Sequence, residues 1–597
     1  MGDDALAWAR RAPEEPLAWL WVLLLPSILL HYPAQGATTS SAPLPHDARA
    51  AAVFSGDFSS ALADRDAGVW RSAIRTAGKG RPLGAGRAAA PDAPGRVKAS
   101  QRRSLLLVRD GRLSAATRAP TAAPVAPRTT EVWDKACSLF PPAWPGLATT
   151  ESLEADFPGA LVAAVDFGRS AGVPDDLHRE AVADAIRRAP RSSAFGPSGL
   201  QMEHLRAFGE DGQAALAGAV LLLGSADGES LMPPLAADAL AGADLLLICK
   251  PGGLDTDGLP RLRPIGMPDQ LRMLAAAALA VTVRAAAARL LSPLHMGVGF
   301  PNPCERVVHE VSAVLAHNPR TAFLPLDIRN AFNLVSRSAA VAFLTRAFPL
   351  LWPCLSTVYL GFSPPRVYSW ALGAAGAGSG APGVPLSRRW LAVERGVQQG
   401  DPLGPLLHAA AMHLVVLRVA AADPSAVDRA VHDDFLVFVV LEDLPAILRT
   451  AAAAGAAVYA KLAPEKCAGW SLGSAVAPVG WQALWRGDGV RKLSVPLGSE
   501  AIMAAAVDDL DADHHRLTEA IVSLPRSELL SQLLLLRLCA GPQPNYCLRA
   551  LPLTWSARLA ASVDRAARGG LRRLLTDARD APAAVDALLA RATLPLA

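Results

Sequence analysis

From about residue 150 the chain alternates between long apolar runs with helical spacing and short ones of strand length. Residues 321–326 (Thr-Ala-Phe-Leu-Pro-Leu) form one strand-length run. The string Ala-Val-His-Asp-Asp-Phe-Leu-Val-Phe-Val-Val, residues 430–440, is apolar on both sides of an acidic pair and predicts two short strands joined there. Residues 245–250 read as another strand, closed by the turn signal Lys-Pro-Gly-Gly. Helices are predicted over 175–188 and 199–208, separated by a loop at 190–198, and over the Ala-rich stretch 271–291. Asp401 as N-cap with Pro402 at the first position predicts a further helix to about Ala421. The Gly/Ala run 371–384 reads as a flexible loop. Beyond Asp508 only helices are expected, through Arg591. Residues 38–130 show little periodicity apart from a short helix at 101–116. Helical outer parts around a small mixed centre predict an α+β architecture.

Charge and cysteine usage narrow the class. The formal balance of 58 basic and 54 acidic residues is only +4. Thirteen Lys/Arg against two acids between Arg71 and Arg128, however, make a stretch of net +11, which suits a polyanion and equally suits a solvated arm. The seven cysteines have no Cys-x-x-Cys or zinc spacing, so a reduced, intracellular setting is expected. The apolar run 17–30 abuts Glu14 and Glu15 and is broken by Pro26; it reads as a helix packed on the protein rather than a signal peptide or membrane span.

The candidate chemistry is a trio of carboxylates. Asp327 ends the strand at 321–326, and Asp433 and Asp434 sit where two further strands meet. Like charges gathered at a sheet edge repel, and divalent cations relieve that repulsion, as two-metal phosphoryl transfer requires.

Around these aspartates lie ordered motifs. Leu326-Asp327-Ile328-Arg329-Asn330-Ala331-Phe332-Asn333 is followed by Gly396-Val397-Gln398-Gln399-Gly400-Asp401-Pro402-Leu403-Gly404-Pro405 and by Val431-His432-Asp433-Asp434. Upstream stand Gly196-Pro197-Ser198-Gly199-Leu200 and Arg261-Leu262-Arg263-Pro264-Ile265. Downstream come Pro464-Glu465-Lys466-Cys467, Leu493-Ser494-Val495-Pro496-Leu497-Gly498 and Cys539-Ala540-Gly541-Pro542-Gln543-Pro544-Asn545-Tyr546. In this order, over roughly residues 185–555, the chain resembles the reverse transcriptase domain of non-LTR (LINE-like) retrotransposons. Val431-His432 stands where that family usually has Tyr-x before the Asp-Asp pair.

The resemblance implies a right-hand polymerase: a partly disordered basic N-terminal extension (1–149), fingers (150–320), a ferredoxin-like palm (321–505) and a helical thumb (506–597). It implies an RNA-directed DNA polymerase that joins dNTPs to a DNA primer or nicked target DNA on an RNA template. Two Mg²⁺ ions, with Mn²⁺ as a substitute, would be held by Asp327, Asp433, Asp434 and the Ile328 carbonyl. Lys250 and Arg263 are expected on the triphosphate, Phe332 beneath the sugar as the gate against a 2′-hydroxyl, Gln399 and Gly400 beside the nucleotide, and Lys466 at the leaving pyrophosphate. For single residues the plainer readings are a core phenylalanine for Phe332 and surface lysines for Lys250 and Lys466. The alternative for the whole is a catalytically silent relative that binds RNA. Nuclear or cytoplasmic location without stable membrane association is expected; no endonuclease signature is apparent, and oligomeric state is left open.

Overall fold

The computed structural model describes most of residues 101–575; residues 1–100, 142–148, 191–195, 225–236, 361–365, 373–386, 478–481 and 576–597, with shorter gaps, lie outside the described residues. The apolar run 17–30 and most of the basic stretch 71–128 therefore fall outside it. What is described is α+β: small, largely antiparallel sheets set among many helices.

The central sheet runs β6-β7-β3-β8, from β3 (Thr321–Leu326), β6 (Val427–Val431), β7 (Asp434–Val440) and β8 (Trp470–Ser471). Every residue of β3 is buried, because successive side chains point to opposite faces and both faces are covered. Ala322, Leu324 and Leu326, with Phe435, Val437 and Val439 of β7, join the main core. That core is shared with α1 (Gln270–Leu291), α4 (Arg337–Ala347), α5 (Gly404–Ala422) and α6 (Leu444–Ala457). Phe323, Leu436 and Phe438 face the other way, onto Val307, Val311 and Leu315 of α2 (Pro303–His317). Phe323 and Phe438 are directly paired across the strands, and their rings stack with centroids 4.9 Å apart. The outer edge of β6 is covered by residues 294–296, where Ala430 N donates to Leu294 O and Met296 N to Ala430 O. Helices α1 and α5 are long and apolar enough to cross a membrane, but each is built into the main core.

A second sheet has the order β2-β1-β4-β5, from β1 (Ala243–Leu254), β2 (Pro260–Pro268), β4 (Arg366–Leu372) and β5 (Ser387–Val393). Lys-Pro-Gly-Gly does not end the strand: β1 continues to Leu254, and its pairing with β2 shifts register between Cys249 and Leu254, so the glycines form an irregularity inside a longer hairpin. The supposed loop from 371 begins inside β4, which pairs antiparallel with β5; residues 373–384 lie outside the described residues. Part of the N-terminal extension is also built in. Residues 124–126 run along β1, with Ala126 N donating to Leu247 O at 2.8 Å and Cys249 N to Pro124 O at 2.9 Å, and helix Thr130–Ser138 adds Val132 and Trp133 to the core of this sheet.

The hairpin of β9 (Gly489–Lys492) and β10 (Val495–Gly498) leads into α7 (Glu500–Val522) and on to α8 (Leu553–Leu575), which packs along α7. Only helices follow Asp508 among the described residues, as expected. The boundary placed at 505/506 falls inside α7, so the helical C-terminal part starts at Glu500. Helix 175–188 is shortened to Arg179–Arg188, and 199–208 to Met202–Arg206.

Candidate active site

Two strand pairings bring the aspartates together. In β3·β7 the pairing ends at Leu326 opposite Phe435, so Asp327 and Asp434 each lie one residue beyond the last pair, at the same end of the sheet. In β6·β7 it ends at Val431 opposite Asp434, leaving His432 and Asp433 as a two-residue turn. His432 takes a positive φ of 56°, an uncommon conformation outside glycine that histidine, like asparagine and aspartate, adopts more readily than most residues. The three predicted carboxylates thus share one sheet end. Carboxylates gathered at one sheet end repel unless cations intervene.

Two lysines supply positive charge. Lys466 Nζ lies 3.4 Å from Asp327 Oδ1, and Lys492 Nζ lies 2.6 Å from Asp434 Oδ1. Lys466 is delivered by the chain 461–467, which is strung along the end of β3. Arg329 N donates to Lys461 O, Ala463 N to Asp327 O, and Arg329 pairs with Glu465 at 2.8 Å. Asp327 N donates to Cys467 Sγ at 3.4 Å, with that thiol raised by burial. The Ile328 carbonyl takes neither main-chain bond of this pairing. Three carboxylates and a main-chain carbonyl are a hard-oxygen donor set of the kind Mg²⁺ takes. The ammonium groups already drawn to two of them mark places where a cation is stabilised, so the residues fit such an ion in kind. In the present side-chain positions, no three acidic, histidine or cysteine donors among the described residues converge on one point.

Three cations lie near this end of the sheet. Lys250, on β1, is held below the ordinary lysine range by partial burial and then by Arg263 and Lys466, while Asp433 and Asp327 pull it back. Arg263 comes from β2, where it pairs with Ile248, two residues before Lys250. Lys250 therefore lies close enough to the other two predicted phosphate-binding cations and to two of the carboxylates to feel their charge.

Beside them, Phe332 sits on the single-turn helix α3 (Ala331–Leu334), half-buried, and stacks on His408 of α5 with ring centroids 4.5 Å apart and 12° between planes. Burial holds His408 down at about 4, against an upward pull from Asp433, and neither ring nitrogen has a hydrogen-bond partner among the described residues. The motif loop 396–400 closes over α3: Val397 N donates to Phe332 O at 2.6 Å, and Gln399 Nε2 reaches Asn333 Oδ1 at 3.5 Å. Gly266 N donates to Gln399 O at 2.9 Å. Gly400, at φ 111°, passes so near the Gly266 carbonyl that a Cβ would collide with it.

Asp401 departs from its predicted role. The helix begins at Gly404, and Asp401 lies in the turn before it. Its carboxylate accepts from Leu403 N at 2.8 Å, from the Tyr359 hydroxyl at 2.9 Å, and from Arg272 Nη2 and Nε at 2.5 and 3.1 Å. Both charged side chains are sealed at 1 % exposure, so a buried ion pair anchors the Gln398–Gly400 loop to α1. Residues before a helix and at its cap share the same sequence signal, and the fully buried Arg272 on α1 decides between the roles.

Sequence reasoning missed the supports of the turn. Gly297 packs against it so closely that a Cβ would come within 2.6 Å of His432 N. A ring nitrogen of His295, Nε2, lies 3.4 Å from His432 O, and burial, followed by His408, His413 and His432, pushes that imidazole well below its ordinary range. His408 and Lys492 carry no sequence signal for their contacts. No family model matches the chain, and no curated protein matches it.

Proposed function

We propose that the chain is an RNA-directed DNA polymerase of retrotransposon origin, akin to the reverse transcriptase domain of LINE-like elements. The central sheet would be its palm, the β1-β2-β4-β5 sheet part of its fingers, and the helices from Glu500 onward its thumb. The observation that carries this reading is the pair of strand registers that bring Asp327, Asp433 and Asp434 to one sheet end, with Lys466 at Asp327 and with Lys250 near two of the aspartates and Arg263. Divalent ions bound by Asp327, Asp433, Asp434 and the Ile328 carbonyl would activate a primer 3′-hydroxyl and neutralise charge on the leaving pyrophosphate.

The chain's own groups supply the rest. Lys250 and Arg263 hold the triphosphate of a dNTP as point charge and fork. Phe332, braced from below by His408, presents its free side to the sugar and excludes a 2′-hydroxyl by bulk. Gln399 and Gly400 border the base-pairing position, and Lys466 places positive charge where pyrophosphate departs. An RNA–DNA hybrid would be held by phosphate contacts and A-like shape rather than by sequence.

One observation favours a second reading, a silent relative that binds RNA: two of the three carboxylates are engaged by lysines. Primer extension on poly(rA)/oligo(dT) with dTTP and Mg²⁺ separates the two. Incorporation by the wild type that is lost in Asp433→Asn is the expected result. Tight binding to the duplex with no incorporation by the wild type establishes the silent reading and overturns this one.

A further inference from the structure

Of the two lysine–carboxylate contacts, the one at Asp434 is shorter and better enclosed. The Lys492 side chain is 17 % exposed and that of Asp434 33 %, whereas Lys466 is 56 % exposed. Lys492 ends β9, directly before the two-residue turn Leu493–Ser494. Both turn residues take positive φ, 50° and 63°, a geometry that favours Asn-Gly and strains leucine and serine. Contacts compensate: the Leu493 side chain packs against two hydrophobic clusters, and the Tyr546 hydroxyl donates to Leu493 O at 2.6 Å. Among the described residues, Asp434 also has Asp433 beside it in the chain, Asp327 at the same sheet end, the Cys304 thiol, raised by burial, and the Tyr546 phenol, raised above its ordinary range chiefly by burial. The thiol and the phenol are neutral at pH 7 and the two aspartates carry the same sign as Asp434, so Lys492 is the cation Asp434 meets directly. The ammonium joins an irregular, tightly held hairpin to the strand end that carries the acidic trio.

We propose that Lys492 is the resting counter-cation of Asp434 and a positioning residue for the divalent ion: the ion takes Asp434 only as the ammonium leaves, which frees the tip of the β9–β10 hairpin. The inference rests on the metal-dependent reading given above. It differs from the expected part of Lys466, which lies at Asp327 on another segment. A partly exposed lysine–carboxylate pair of this kind weakens ion binding about three- to fivefold.

The test is Mn²⁺ binding to the full chain without nucleic acid, read as free Mn²⁺ by electron paramagnetic resonance, together with amide hydrogen exchange across residues 489–498. The proteins are wild type, Lys492→Met, Lys492→Gln, Lys492→Arg and Asp434→Asn. The expected result is Mn²⁺ binding about three- to fivefold tighter in Lys492→Met and Lys492→Gln, and near wild-type in Lys492→Arg. Exchange at the hairpin tip should rise with Mn²⁺ in the wild type, and be already high and Mn²⁺-insensitive in Lys492→Met. Equal or weaker binding in both neutral variants, with a wild type that does bind, overturns the role of Lys492 alone. A wild type that binds no Mn²⁺ overturns the inference and the metal-dependent reading together. Asp434→Asn should bind more weakly than any lysine variant, and a wild-type affinity there also overturns the proposal.

Discussion

Replacing Arg272 by methionine strips one charge from a pair sealed between α1 and the Gln398–Gly400 loop. The methionine keeps most of the stem volume, so the loss is chiefly electrostatic. It removes two N–H donors to Asp401 Oδ2 and the 2.8 Å bond from Nη1 to Ala241 O. It also removes the guanidinium from over the Tyr359 ring, where it now lies 5.5 Å from the centroid. Asp401 keeps the Tyr359 hydroxyl and Leu403 N as donors but has no opposite charge at 1 % exposure. Leaving one member of a buried pair uncompensated costs about 3–5 kcal/mol. Asp401→Asn keeps the shape and removes the carboxylate charge opposite the buried guanidinium, with a loss in the same range. In Arg272→Met/Asp401→Asn neither charge remains, so the combined loss should fall short of the sum by about 2–3 kcal/mol. Urea unfolding of the four proteins, followed by tryptophan fluorescence, measures this through the shift of the first cooperative transition. A loss below about 1 kcal/mol in Arg272→Met, or strict additivity in the double variant, refutes the argument that this pair anchors the loop.

Asp428 on β6 is buried with both carboxylate oxygens unpartnered among the described residues, and burial raises it to about 7. Its folded form therefore keeps a proton that the unfolded chain releases near pH 4. The stabilisation is full below that point and fades as pH rises to about 7, by about 3 kcal/mol between pH 5 and 8. Urea midpoints at those two pH values should show this slope in the wild type and not in Asp428→Asn; parallel slopes would contradict it. Gly400→Ala should lose about 1–2 kcal/mol from backbone strain alone and displace the loop from Gly266, which a urea midpoint and a raised KM for dTTP would register; an unchanged KM would count against the close approach. Phe332→Val should admit ribonucleotides, raising kcat/KM for UTP relative to dTTP at least tenfold in primer extension, and an unaltered ratio would return Phe332 to a plain packing role.

The parts of the fold legible in the sequence were those where local pattern and tertiary setting agree. β-Branched and aromatic residues on both sides of Asp433–Asp434 have few uses other than a hairpin, and Thr321 to Leu326 is too short and too apolar for anything but a buried strand. Where two local signals conflict, the reading failed. Lys-Pro-Gly-Gly is a turn signal by composition, yet pairing with β2 carries the strand through it. Asp401-Pro402 fits a helix start, yet the helix begins at Gly404, and beside its bond from Leu403 N the carboxylate also takes a buried arginine 129 residues away. The Ala/Gly run around residue 371 hid the strand Arg366–Leu372 in front of it. At the candidate site, the residue pattern pointed to the carboxylates, and the family resemblance pointed to the cations near them. The stacking of His408 under Phe332, the approach of Gly297 to His432 and the reach of Lys492 to Asp434 join segments about 60 to 140 residues apart, and no short window holds both partners.

The double-sided burial of β3 has a consequence for how this gene can change over generations. Side chains alternate along the strand, so gaining or losing one codon anywhere from 321 to 326 would turn Asp327 to the opposite side and move each buried neighbour with it. Drift in length is thus forbidden there even when every new residue is apolar. A lineage of copies should keep the count of residues in that segment long after individual letters have altered.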